Sequence, residues 1–74
     1  LKNWKAAIID FDKAIQINPN FADAFGNRGI ARGFSGEKKG GIKDLKTAIS
    51  MYEKQGKTAE AQKLVEFIKM VKSQ

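Results

Sequence analysis

The feature that most constrains this chain is its likeness to itself at an offset of 34 residues. At that offset Lys5 meets Lys39, Ile8 meets Ile42, Asp10 meets Asp44, Ala14 meets Ala48 and Ile15 meets Ile49. Ala7 with Gly41, Phe11 with Leu45 and Ile17 with Met51 are conservative pairs. A fixed period of this length is the mark of stacked supersecondary units, each too small to bury its apolar face alone. Residues around 5–17 and 39–51 are therefore read as two copies of one element. Further on only apolar character persists, in Ile30 with Leu64, Ala31 with Val65 and Phe34 with Ile68.

The element is a helix. Trp4, Ala7, Ile8, Phe11, Ala14 and Ile15 fall on one face at steps of three and four, and alternation of period two is nowhere sustained. The first helix is expected over residues 3–17. It stops at Asn18-Pro19-Asn20, because the residue before a proline avoids the helical region. A second helix is expected over residues 21–34, capped by Asn20, with Asp23 in its first turn where the helix dipole favours a carboxylate. Gly36 is placed to end it in the left-handed conformation. A third is expected over residues 37–55. Gly40 and Gly41 weaken its start by about 1 kcal/mol each relative to alanine, so another backbone is expected to come close there. Gly56 ends it, and Thr58 is placed to cap a fourth helix running to about Lys72. The fold class is all-α, with about four helices in antiparallel hairpins.

Two helices in each 34-residue period resemble the tetratricopeptide repeat. Ala7, Phe11, Ala14 and Pro19 match the small, large apolar, small and proline positions of that repeat's second helix. The next copy has Gly41, Leu45 and Ala48, with Glu53 in place of the proline. Phe25 and Gly29 fit the first helix of the repeat, whereas Arg28 and Arg32 depart from its general pattern. Ala24-Phe25-Gly26-Asn27-Arg28-Gly29-Ile30-Ala31-Arg32 resembles a variant common in bacterial repeats. The resemblance implies that residues 1–19 are the second helix of a preceding repeat, 21–54 a whole repeat and 57–72 a capping helix at the C-terminal end of an array. The absence of an initiating methionine fits a piece of a longer chain. The packing logic agrees. Small residues at Ala7, Ala14, Gly29, Gly41 and Ala48 let helices approach, and Phe11, Phe25 and Leu45 fill the gaps between them.

The same resemblance implies a superhelical scaffold that binds a peptide or helix of a partner protein in a concave groove. Asp23, Asn27, Ile30 and Phe34 would line that groove, joined from the fourth helix by Lys57, Ala61 and Leu64. Asn27 matches an asparagine that holds ligand backbone or carboxylate in many family members, a role suited to a group that donates and accepts at once. A carboxylate clamp of the kind some members carry is incomplete, since Asn27 and Lys57 meet two of its positions and Ala61 stands where it needs a basic residue. If the first helix of the preceding repeat is absent, the face around Trp4, Ala7 and Phe11 is left uncovered. Homo-oligomer formation through the N-terminal helix, or marginal stability, is then expected.

Composition narrows the function. Fourteen Lys and Arg against eight Asp and Glu give a net charge of +6, which favours acidic partners. With no cysteine and no histidine there is no thiolate or imidazole for a metal site or for base catalysis. Asp10 and Asp12 lie on different helix sides, so they do not form a catalytic pair, and neither an enzymatic role nor a cofactor is expected. Arg28 and Arg32 sit one turn apart, either as an anion site or, as favoured here, paired with Asp10 or Asp44 on packed helices. Lys38, Lys39 and Lys43 form a basic cluster without interleaved aromatics, which speaks against nucleic acid. No apolar run approaches the roughly 20 residues of a membrane span, and a cytoplasmic setting is favoured. A protein-interaction module is thus the leading reading. A basic nucleic-acid adaptor and a purely structural capping repeat stand beside it.

Overall fold

A computed structural model describes residues 3–74 as four helices: α1 (Trp4–Ile17), α2 (Ala22–Phe34), α3 (Lys38–Lys54) and α4 (Thr58–Lys72). Among the described residues there is no strand. Each helix packs against its neighbour in the chain, and α2 also touches α4. The arrangement is all-α, built of successive helical hairpins.

The starts and stops follow from local chemistry. Asn3 caps α1, its side chain accepting from the Ala6 backbone N–H at 3.1 Å. The cap expected at Asn20 falls instead on Phe21, whose carbonyl accepts from Ala24 and Phe25. Asn20 is held in the preceding turn, where its N–H donates to the Asn18 side chain, so it sits one residue too early. Likewise Glu37 and Lys57 occupy the cap positions of α3 and α4, and Thr58 is the first helical residue. The α2–α3 and α3–α4 turns each close on a glycine of positive φ, Gly36 at 105° and Gly56 at 75°. The N–H after each glycine reaches back to the last turn, Glu37 to the Arg32 carbonyl and Lys57 to that of Tyr52, each at 2.8 Å.

The hairpin of α2 and α3 is made by glycine contacts. A Cβ on Gly41 would stand 2.6 Å from the Gly33 nitrogen and 2.7 Å from the Gly29 carbonyl oxygen, so the two backbones touch as expected for this pair. Gly40 is different, since a Cβ there would meet only Arg32 at ordinary distance. On α2, Gly26 and Gly33 receive Leu64 and Val71 of α4. Leu45, Ala48 and Val71 are 0% exposed, and with Ala22, Tyr52, Ala61 and Leu64 they form the core between α2, α3 and α4.

Helix α1 contributes no fully buried residue. Gly41, Leu45 and Ala48 of α3 are buried, while their repeat equivalents Ala7, Phe11 and Ala14 are only partly so. The reason is packing: α3 lies between α2 and α4, whereas α1 has α2 alone.

Candidate functional site

Four of the sequence-derived site residues share one face of α2. Asp23, Asn27, Ile30 and Phe34 follow one another at steps of four, three and four, which places them within a narrow stripe. The stripe covers about 16 Å along the helix axis. Asp23 and Asn27 are exposed, while Ile30 and Phe34 are partly buried. The fifth, Lys57, is exposed at the start of α4.

Three of these residues have structural partners in neighbouring helices: Ile30 packs against the buried core, and Asp23 and Phe34 make specific contacts. The Tyr52 hydroxyl of α3 donates to the Asp23 carboxylate. Burial of the Tyr52 ring, then the adjacent Asp23 carboxylate, pushes the phenol up to about 12. At the other end of the stripe Phe34 stacks on Trp4 of α1, ring centroids 6.2 Å apart, and meets Phe67 of α4 edge-on at 6.5 Å. Three helices thus contribute to one aromatic run, a geometry that favours ring pairs. Trp4 joins this run, while Ala7 and Phe11 lie partly buried on α1. The large apolar side chains that α1 leaves open are Ile9 and Ile17, 54% and 86% exposed. Ala61 and Leu64, expected on the groove surface, are instead buried in the core shared by α2, α3 and α4, where the Leu64 side chain fills the space over Gly26.

On another side of α2 the arginines pair with carboxylates of neighbouring helices, while the buried Arg32 Nε has no hydrogen-bond partner among the described residues. Arg28 donates from Nε and Nη2 to both Asp44 oxygens at 2.9 Å, and from Nη1 to Asp12 at 2.8 Å. Arg32 Nη1 adds a bond to Asp44 at 3.2 Å. Asp44 is 4% exposed, and its hydrogen bond with Arg28 raises the guanidinium pKa further above its ordinary value. The Arg28 guanidinium also lies 5.4 Å from the centre of the Phe25 ring. One arginine thereby fastens α1, α2 and α3 together. The pairing with Asp44 agrees with the sequence expectation. The partner on α1 is Asp12 rather than Asp10, which is exposed.

Over 54 residues the chain is 38% identical to tetratricopeptide repeat protein 36 of Danio rerio. The match covers 73% of this chain and 29% of that protein, so the chain spans less than a third of its relative's length. No family model and no solved structure matches the chain. The similarity and the four-helix hairpin packing agree in pointing to a tetratricopeptide-like repeat. Among the described residues no helix is long and apolar enough to cross a membrane.

Two contributors to this region escaped the sequence. Phe67 stood in the poorly repeating fourth helix, and its contact with Phe34 depends on α4 crossing α2. Tyr52 lay near the end of α3 with no repeat signal, since its equivalent at the 34-residue offset is Asn18.

Proposed function

We propose that the chain is a protein-interaction module of the tetratricopeptide-repeat kind, holding a peptide or helix of a partner protein on the Asp23–Phe34 face of α2. In this reading residues 1–19, of which 1 and 2 lie outside the described residues, belong to the second helix of a preceding repeat, 21–54 form a whole repeat and 57–72 a helix that caps it. The carrying observation is the stripe itself: Asp23, Asn27, Ile30 and Phe34 on one face, with aromatic rings from α1 and α4 at its end. About 16 Å of stripe accommodates about five extended residues of a partner. Asn27 would donate to and accept from that backbone, Ile30 and Phe34 would take its apolar side chains, and Lys57 would attract an acidic group. Asp23, already accepting from Tyr52, keeps acceptor capacity for a ligand N–H.

The test is selection of a binding peptide from a random displayed library, followed by mapping of its amide chemical-shift changes on the labelled chain. Changes should centre on Asp23, Asn27, Ile30, Phe34 and Lys57, and Asn27→Ala should weaken binding by about tenfold while helix content stays constant. Changes confined to other helices, or an Asn27→Ala variant that binds as the parent does, would reject the assignment.

A further inference from the structure

The face of α3 turned away from α2 carries a second feature, independent of the groove proposed above. Lys39, Lys43 and Lys46 recur there at steps of four and three, and with Ile42 and Thr47 they line an open depression of about 540 Å³. All three lysines are exposed. Ile42 is partly buried, its side chain packed on the core, and it gives the depression an apolar floor. Thr47 turns its hydroxyl back onto its own helix, donating to the Lys43 carbonyl at 3.0 Å.

The electrostatics of this face are one-sided. The acid of α3 nearest these lysines, Asp44, points the opposite way and is consumed by Arg28 and Arg32. Glu53 stands about two turns beyond Lys46. Helix α1 does not pack against α3, so it does not cover the stripe. Three like charges side by side raise one another's energy and are relieved by a partner of opposite sign.

We infer that this outer face of α3 is a docking surface for an acidic amphipathic helix of a partner protein. The spacing selects a helix. Lys39 and Lys46 lie about 10 Å apart along the axis, and carboxylates at matching steps of three and four on a partner helix reach them together. An apolar side chain between those carboxylates meets Ile42. The stripe has no aromatic side chain on which a base could stack, so a nucleic-acid strand finds charge there but no platform.

The probe is a synthetic helical peptide of about three turns, with glutamates at steps of four and three and leucines between them. A scrambled peptide of the same composition and a short oligothymidylate serve as comparisons. Amide shifts should cluster at Lys39, Ile42, Lys43, Lys46 and Thr47. The variant K39E/K43E/K46E should bind at least about tenfold more weakly, the combined effect of three exposed ion pairs, with an unchanged circular dichroism spectrum. Asn27→Ala should leave this affinity unaltered, which separates failure here from failure of the α2 groove. The inference is overturned if the scrambled peptide binds equally well, if the shifts fall on α2, or if charge reversal has no effect. Tighter binding of oligothymidylate with a steep loss in salt would overturn it in favour of nucleic acid.

Discussion

Replacing Gly41 by alanine tests how closely α2 and α3 are joined. Judged by helix propensity alone, the change should stabilise α3 by up to about 1 kcal/mol. The contact geometry says the opposite. The new Cβ would lie 2.6 Å from the Gly33 nitrogen, 2.7 Å from the Gly29 oxygen and 2.9 Å from the Gly33 Cα, where ordinary contact begins near 3.4 Å. All three neighbours are backbone, so no side chain can rotate away and the helices must part by several tenths of an ångström. That separation loosens Leu45 and Ala48, both 0% exposed in the same contact. Because the clashes are with backbone, overpacking here falls in the upper part of its usual range, about 2–3 kcal/mol, leaving a net loss of about 1–2 kcal/mol after the propensity gain. In a domain of this size the melting temperature should fall by about 5–15 °C. The adjacent Gly40→Ala is the control. Its Cβ would meet Arg32 Cδ at 3.6 Å, an ordinary contact, so the propensity gain survives and melting should rise by a few degrees. Thermal unfolding followed by far-ultraviolet circular dichroism reads both. A Gly41→Ala chain melting at or above the parent, or both variants moving in the same direction, would refute the reasoning.

Removing the Asp44 carboxylate leaves Arg28 with Asp12 alone and takes from Arg32 its hydrogen-bonded carboxylate. Asp44→Ala should therefore lower the urea-derived stability by about 3 kcal/mol, and a loss below about 1 kcal/mol would show that solvent replaces the carboxylate freely. Tyr52 links stability to alkaline pH. Its folded value of about 12 lies above the ordinary 10.0, so the unfolded chain gives up the proton first and the stabilisation disappears between those two values. Unfolding of the parent and of Tyr52→Phe, compared from pH 8 to about pH 12, should show the parent losing stability more steeply with pH; parallel curves would remove Tyr52 from the explanation.

Much of the helical layout is legible in the chain because local rules decide it. The apolar spacing in α1 and α3, the proline turn and the two left-handed glycines each act within a few residues. The candidate face on α2 is legible for the same reason, since residues four and three apart on a helix must lie together. The arginine pairing was half legible. Arg28 and Arg32 recur one turn apart and Asp44 repeats Asp10, which points to Arg–Asp pairing. Asp10 nevertheless does not serve as the α1 partner. Asp44 meets arginines from α2, the helix that comes before α3, whereas α2 comes after α1 and meets its other flank, where Asp12 stands.

What the sequence alone determined is the repeat, its helices and the small residues that permit close approach. These depend on side-chain size, φ preference and hydrophobic spacing, all of which are properties of neighbouring residues. Only the tertiary structure decided that Gly41 and not Gly40 takes the backbone contact, that Leu64 fills the space over Gly26 instead of facing the groove, and that Phe34 lies between Trp4 and Phe67. Each of those outcomes depends on the angle and depth at which two helices cross. Crossing geometry is set by the packing of all the side chains at the interface together, so no single stretch of the chain encodes it.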